Sequence, residues 1–325
     1  MIFRYNYVKK KILKFTISNI VYNCYRLDQI LNIYDQTYSR SFFKQCIKNN
    51  QVLVNNKICT KPSKKVFYGD KILLIHIIQN INKYKLNQLQ LNIVYEDDYM
   101  LIINKQSGLV VHPGIKNLYG TLLDMLIQKY PDLQYIPRGG IIHRLDKNTT
   151  GLMIIAKKLE SYFWFNSHMR RRKIFREYET IVYGILLKNN TIINNIIRHP
   201  IYKTKMSVGI IGKKAVTHYK ILNNFFCFTH LRINLETGRT HQIRLHMENI
   251  GHPILGDPIY YNKKKKSYFI KKLNVKKLIQ NIERPLLHAK KIVFFHPLTK
   301  KIVKIEIPLP EDMCDCIKNI INFKL

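Results

Sequence analysis

Acidic residues are scarce in this chain of 325 residues: 20 Asp and Glu stand against 55 Lys and Arg, a formal net charge of +35 at pH 7. A field of that size exceeds what an acidic small molecule requires, whereas a polyphosphate backbone exploits it through counterion release. Part of the lysine excess belongs to a composition loaded with Ile, Lys, Asn and Tyr, as AT-rich coding produces. Nucleic acid nevertheless ranks first among partners, ahead of attraction to a membrane surface. Cysteines are few, and Cys24, Cys46, Cys59, Cys227, Cys314 and Cys316 lack both the C-x-x-C spacing of a zinc site and the density of a disulfide framework. They read as reduced thiols in a cytoplasmic protein. Long apolar runs are missing too. Ile72–Ile78 is broken by His76 and falls far below the roughly 20 residues that cross a bilayer, so no membrane partner is expected. With 46% hydrophobic residues, 23% charged residues and no dominant low-complexity tract, wholesale disorder is excluded.

The length suits about two domains. Residues 1–25 carry Arg4, Lys9, Lys10, Lys11 and Lys14 with no acid before Asp28. They weakly imitate an organelle transit peptide, but Lys14, Ser18 and Asn19 interrupt any secretory apolar region, and the segment reads as a basic, poorly ordered arm. From Arg26, Leu27, Ile30 and Leu31 recur at helical spacing. Ser39 is placed to cap a second helix with Phe42, Phe43, Cys46 and Ile47 on one face. Short strands follow in 51–58 and 71–78, which gives a small unit over 26–78 and then a polar linker over 79–90.

Residues 91–325 form a second domain. Strand-like runs accumulate at 91–95, 100–104, 152–156, 178–183, 215–222, 228–235, 292–295 and 302–307, with helices at 120–129, 160–173 and 241–249. Strands outnumber helices and do not alternate strictly with them, so the expected class is α+β with a mostly antiparallel mixed sheet. The lysine-dense span 263–277 reads as a surface insertion.

Three clusters carry chemistry. In the first, a polar loop from His143 to Gly151, centred on Asp146, hangs between two apolar strands, as a rigid sheet presents reactive groups. An Asp in such a loop also commonly hydrogen-bonds its own turn, here the amides of Thr149 and Thr150. In the second, Thr240 is placed to cap a helix with Ile243, Met247 and Ile250 inward and Gly251 just past its end, and Arg239 and Arg244 lie in the first turns. Three nearby histidines, His241, His246 and His252, with Asp257, raise the question of a metal. The i, i+5 spacing of the first two places them on different helix faces, so no metal site is expected. The third cluster runs from Met169 to Tyr183, where the basic end Arg170, Arg171, Arg172 leads into a strand bearing Tyr178. A basic helix end is usually a solvated face, but with the overall charge it is a candidate track for phosphates.

Two resemblances emerge from these residues. Arg26-Leu-Asp28, Ser39-Arg40, Val52-Leu-Val-Asn55 and Gly69-Asp-Lys-Ile72 resemble the S4 RNA-binding module. That resemblance places a basic RNA-facing surface on Arg26, Arg40, Lys44, Lys48, Lys64 and Lys65. Asn50 and Asn56 stand where the module often has glycine, a tolerable exchange because Asn visits positive φ at low cost. His143-Arg-Leu-Asp146 with Thr149-Thr-Gly-Leu152, Arg176-Glu-Tyr178, Thr237 to Met247 and Gly251 to Pro258 are similar to the pseudouridine synthases of the RluA type. Arg198-His-Pro200, the segment Lys213 to Tyr219 and the S4-like module point to the branch of that family acting on large-subunit ribosomal RNA. Gln106 replaces a usual proline and Asn148 a common aspartate, departures that bear on loop stiffness and substrate fit.

The resemblance implies an isomerase that converts uridine to pseudouridine without redox change, and therefore without a cofactor. Asp146 would be the ionised carboxylate, attacking uracil C6 or ribose C1′ or assisting elimination to a glycal. Arg244 would pair with it and favour its charged form. Tyr178 would lie against the base. Arg144 would fill the gap left when the target nucleotide leaves its stack, and Arg170, Arg171, Arg172 and Arg239 would contact RNA. The implied partner is large-subunit ribosomal RNA or a pre-ribosomal particle, engaged by a monomer. The rivals are a non-catalytic RNA-binding assembly factor on a synthase scaffold, a related synthase acting on other rRNA or tRNA sites, and a carboxylate-pair hydrolase. Intact Asp146, Tyr178 and Arg244 argue against decay. Glu177 and Glu179 alternate with Tyr178 along one strand and point away from its face, which argues against the hydrolase.

Overall fold

A computed structural model describes residues 8–36, 38, 40–79, 90–114, 117, 119–202, 204–261 and 282–322. The linker 79–90 apart from its end residues, Ser39 and the lysine-dense span 263–277 lie outside them. Contacts divide the chain into two units, residues 1–91 with 110–140, and residues 92–109 with 141–325.

In the first unit, β1 (Val8–Thr16), β6 (Lys71–Gln79), β3 (Val52–Val54) and β4 (Lys57–Ile58) form an antiparallel sheet in that order, and β2 (Tyr25–Arg26) pairs with β5 (Lys65–Val66). Helices α1 (Leu27–Tyr34) and α2 (Arg40–Lys48) contribute Leu27, Ile30, Leu31, Phe42, Phe43, Cys46 and Ile47 to a core with Val52, Val54, Ile72 and Leu74. The α2 face is the one its helical spacing predicts.

The poorly ordered arm needs correction, because residues 8–16 are a nine-residue strand paired along its length with β6. Leu13 and Phe15 turn inward and lead to fully buried Ile17, while Ile12, Lys14 and Thr16 face out. That two-residue period was present in the sequence beneath the lysines. Asn50, Asn55 and Asn56 adopt φ of 60°, 52° and 63°, so asparagine does take the left-handed positions of these turns. Residues 110–140 of this unit carry α3 (Leu122–Lys129), which starts on a capping box between Thr121 and Asp124.

The second unit is built on one sheet in the order β12 (Met206–Val208), β11 (Asn190–Arg198), β13 (Lys213–Phe225), β14 (Phe228–Leu235), β10 (Phe175–Tyr183), β15 (Leu287–Phe295), β9 (Thr150–Ala156), β8 (Met100–Lys105), β7 (Ile93–Glu96), with β16 (Ile302–Glu306) also on β15. Among the described strands of this sheet, all neighbours are antiparallel except β9 and β15. The expected α+β class with a mostly antiparallel mixed sheet holds. The strands β8 and β9 are buried almost throughout, which explains their near-continuous apolar runs, whereas the equally buried β10 carries Arg176, Glu177, Glu179 and Thr180 among its apolar residues.

Helix α4 (Leu159–Arg170) sets Phe165 against Phe294 over Met100, Ile102 and Ile154. Helix α5 (Gln242–Asn249) follows β14, and α6 (Glu311–Ile321) packs Met313, Cys316 and Ile320 on Ile181, Phe228 and Leu286. In this unit β11, the three-residue β12 and α6 went unread in the sequence. β11 is rich in asparagine and only Ile192 and Ile196 are buried, a faint alternation. α6 carries its apolar residues at 313, 316, 317 and 320 behind Pro310, a helical period and start signal that was legible.

Candidate active site

The register of three strands assembles the site. Tyr178 in the middle of β10 lies between Ile233 of β14 and Ala289 of β15, and Ala289 in turn pairs with Gly151 at the start of β9. The loop that precedes β9 carries Asp146, and the loop that follows β14 leads into α5 with Arg244. All three side chains therefore come from the same level of the sheet. Gly151 permits the approach: with φ +115° it lies so close that a Cβ would sit 2.3 Å from the Ala289 carbonyl oxygen.

Buried cations fix the Asp146 loop from behind. Lys105, 1% exposed, donates Nζ to the carbonyls of Gln106 (2.7 Å), Leu109 (3.0 Å) and Lys147 (2.9 Å). Burial pulls its pKa down to about 7, with the charge of Asp146 opposing the shift and Arg284 adding to it. Arg284 reaches the Asn148 carbonyl at 3.4 Å from an ion pair with Asp312 of α6. Within the loop, the Thr149 amide donates to the Asp146 carbonyl at 3.1 Å. The two positions that depart from the family pattern thus contribute backbone carbonyls, which leaves this anchoring indifferent to their side chains. A cleft of about 670 Å³ on this side is lined by Ser107, Gly108, Asn148, Arg284 and Asp312 among others, and contains neither Asp146 nor Tyr178.

Arg244 is 5% exposed and lies between two carboxylates. Its Nε and Nη2 donate to Asp257 at 2.6 and 2.8 Å, and its Nη1 donates to Asp146 Oδ2 at 3.0 Å. Burial works against the guanidinium charge, but hydrogen bonds and attraction from Asp257 and Asp146 outweigh it and hold the group above its ordinary value. Asp257 is itself tied down, because its Oδ1 also accepts from the Ile259 and Tyr260 amides. Tyr178 is 5% exposed; burial pushes its phenol up, with Arg176 opposing and Asp146 adding. Asp146, Tyr178 and Arg244 are thus brought together, while Glu177 and Glu179 pair with Arg232, and with His230 and Lys290, on the opposite face of β10.

The helix start differs from expectation. Thr240 is exposed and does not cap α5; the N-cap is His241, in the left-handed conformation with φ 56°. Gln242 ties the preceding loop instead: its Oε1 accepts from Thr237 Oγ1 (2.8 Å) and the Arg239 amide (3.0 Å), and its Nε2 donates to Val216 O and Thr217 Oγ1. α5 is also buried on every side from Gln242 to Met247, not along one stripe. Gly251 occupies its expected place past the helix with φ +85°.

The basic candidates are dispersed. Arg144 is exposed two residues before Asp146. Arg170 and Arg171 are exposed at the end of α4, and Arg172 pairs with Glu236. Arg239 is exposed and donates to Lys214 O at 3.3 Å. In the first unit, Arg26, Arg40 and Lys44 surround the fully buried Asp28 at 3.0, 2.7 and 3.6 Å. Burial would raise the Asp28 carboxyl, but hydrogen bonds from Arg40 and Arg26 hold it below its usual value.

Sequence reasoning missed Lys105, Asp257 as the second partner of Arg244, and the pair His241 and Tyr260. It also missed Arg176, 7% exposed, whose Nε has no hydrogen-bond partner and whose Nη2 reaches Leu235 O only at 3.5 Å. Gly238 leaves room for it, since a Cβ there would lie 3.0 Å from Nη1.

Comparison with known proteins agrees with this arrangement. Residues 99–249 match the family described as RNA pseudouridylate synthase, and residues 26–72 match the S4 domain. Ribosomal large subunit pseudouridine synthase D of Buchnera aphidicola subsp. Baizongia pistaciae is 44% identical over 294 residues, 90% of this chain and 92% of that protein. The protein of the same name from Escherichia coli K12 is 41% identical over 293 residues, 90% of each. The fold is similar to that of the solved Human RNA Pseudouridylate Synthase Domain Containing 4, with a TM-score of 0.55 and 22% identity over 70% of this chain and 92% of that one. Sequence identity of this level over nearly the whole chain, with the S4 match ahead of the synthase match, means that the chain belongs to the RNA pseudouridylate synthase family.

Proposed function

We propose that this protein isomerises specific uridines of large-subunit (23S) ribosomal RNA to pseudouridine, with Asp146 as the reacting carboxylate. The reaction breaks C1′–N1, turns the uracil within the site and joins C1′ to C5; C5 gives up a proton and N1 gains one, so atoms balance and no electron donor is needed. The observation that carries the reading is the 3.0 Å hydrogen bond from buried Arg244 to Asp146 Oδ2, on a loop whose backbone is held by Lys105. It presents one oriented carboxylate beside a buried phenol. Tyr178 lies against the base and serves the C5 proton. Arg144, exposed on the same loop, occupies the gap left by the flipped nucleotide.

Phosphate contacts fall to Arg170, Arg171, Arg172 and Arg239 near the site and to Arg26, Arg40 and Lys44 in the S4 unit. The division of labour follows the chain: residues 26–78 capture RNA, 79–90 link, and 91–325 carry the chemistry, in a cytoplasmic monomer. The relatives named for the ribosomal large subunit supply the substrate class.

Tritium release from RNA containing 5-tritiated uridine measures the reaction. Asp146→Ala and Asp146→Asn are expected to abolish release while RNA affinity stays within a few-fold. Wild-type turnover by Asp146→Ala would remove Asp146 from the chemistry, and no release by the wild-type chain would favour the assembly-factor alternative. Mapping pseudouridines in rRNA with and without the protein is expected to show loss in a large-subunit stem-loop. Loss confined to tRNA would redirect the substrate assignment.

A further inference from the structure

Asp146 has a second neighbour that the site as described does not use. His241 Nε2 lies 3.8 Å from Asp146 Oδ2, the same oxygen that accepts from Arg244. The other ring nitrogen, Nδ1, lies 3.0 Å from the Tyr260 hydroxyl, and that hydroxyl accepts the Met206 amide at 2.8 Å. Since the Tyr260 oxygen is occupied by a backbone donor, its own proton is free to go to His241 Nδ1. Nδ1 is then the acceptor, and the hydrogen of the neutral imidazole resides on Nε2, facing Asp146.

The surroundings agree with a neutral ring. Burial lowers the His241 pKa, Arg244 and Arg144 lower it further, and Asp146 and Asp257 oppose them. Tyr260 is pushed up to about 12 by burial and remains a proton donor. The backbone supports the same aim, because His241 holds a left-handed φ of 56° at the N-cap of α5 without capping the helix. A strained conformation of a bulky residue beside a reactive group is where such strain tends to be retained for function. Tyr260 also lies under Arg244, with the guanidinium carbon 5.2 Å from its ring centroid, so one side chain supports both donors to Asp146.

We propose that Tyr260 and His241 are positioning residues that form a second anchor on Asp146, a relay from the Met206 amide through hydroxyl and imidazole to Oδ2, which leaves Oδ1 as the reacting oxygen. This rests on the reading of Asp146 as the reacting carboxylate. Among the described residues, the donors that approach the Asp146 side chain both meet Oδ2. The relay requires the 3.8 Å approach to tighten in the RNA complex, as donor distances in substrate-free enzymes commonly do.

The test uses the full chain, 5-tritiated RNA and single-turnover rates across pH. Tyr260→Phe keeps the ring under Arg244 and removes the relay; it is expected to lower the rate 10- to 100-fold with KM within twofold. Its acid limb should move to higher pH, because the bond that favoured neutral His241 is gone. His241→Asn tolerates the left-handed backbone but falls short of Asp146, so it should lose rate without losing thermal stability. His241→Gln, whose amide can donate to Oδ2 unaided, should recover part of the rate, and adding Tyr260→Phe to it should cost nothing more. A wild-type rate and pH profile for Tyr260→Phe, or additive losses in the double variant, would overturn the relay. If Asp146→Ala is inert while the His241 and Tyr260 variants behave as wild type, the relay alone is wrong. Should Asp146→Ala stay active, the nucleophile assignment fails first.

Discussion

Replacing Asp257 by Asn tests how the site holds its arginine. Asp257 is fully buried in its side chain, accepts Arg244 through both oxygens at 2.6 and 2.8 Å, and caps the turn at Ile259 and Tyr260. Asn keeps the shape but turns one acceptor into an N–H₂ that faces the Nε–H of Arg244, and it removes the charge. Losing one partner of a buried pair costs about 3–5 kcal/mol where the remaining charge is left uncompensated, and the bond from Arg244 to Asp146 puts the loss here at the low end of that range. In a unit of this size that corresponds to a fall in Tm of roughly 10 °C, at ~2–4 °C per kcal/mol. Arg244 then has Asp146 as its remaining carboxylate and swings toward it. A displacement of about 1 Å in the reacting group is worth ~100-fold in rate.

Single-turnover tritium release with denaturant unfolding separates the two effects. The expected result is a large fall in rate, a lower unfolding midpoint and little change in KM, since the Asp257 side chain is fully buried. An Asp257→Asn protein as stable and as fast as wild type would refute the view that Arg244 is oriented through Asp257. A protein that loses stability but turns over normally would confine Asp257 to folding.

Two further outcomes are expected. Glu179, bound to His230 at 2.8 Å and Lys290 at 2.7 Å, has its carboxyl pKa held down to about 2 against the opposing effect of burial. A folded value below the unfolded one adds stability that is fully present above about pH 4.5 and fades as pH falls toward 2, about 3 kcal/mol in all. Glu179→Gln should therefore lose stability at pH 7 and show a shallower acid limb in urea midpoints measured from pH 5 to 2; an unchanged limb would contradict the pairing. Arg176 is a buried cation with no carboxylate partner among the described residues. Arg176→Met should raise the thermal midpoint while weakening turnover on RNA, as a site that keeps an uncompensated charge for its substrate would. A lower midpoint together with normal turnover would assign Arg176 to structure instead.

The sequence by itself determined the polar loop around Asp146, the α+β class and the S4-like unit, which follow from local information: an aspartate between two apolar strands and alternation in short strands. The pairing of Asp146 with Arg244 came from the family resemblance, through an arginine in a shared motif. The same local reading failed at β1, where five basic residues in the first 14 outweighed the alternation of Leu13, Phe15 and Ile17, and at His241, where a good capping residue one position earlier concealed a left-handed turn.

Only the tertiary structure decided which groups support the carboxylate, directly or through another residue. Lys105, Asp257, His241 and Tyr260 are separated from Asp146 by 41 to 114 residues. Each lies in a stretch where a lysine, acid, histidine or tyrosine has an ordinary solvated or packed role. They gather near Asp146 because Gly151, Ala289 and Tyr178 lie side by side on β9, β15 and β10, which brings the ends of distant strands to one level. A hydrogen-bond relay depends on distances of a few ångströms across such pairings, and no periodicity or composition along the chain records them.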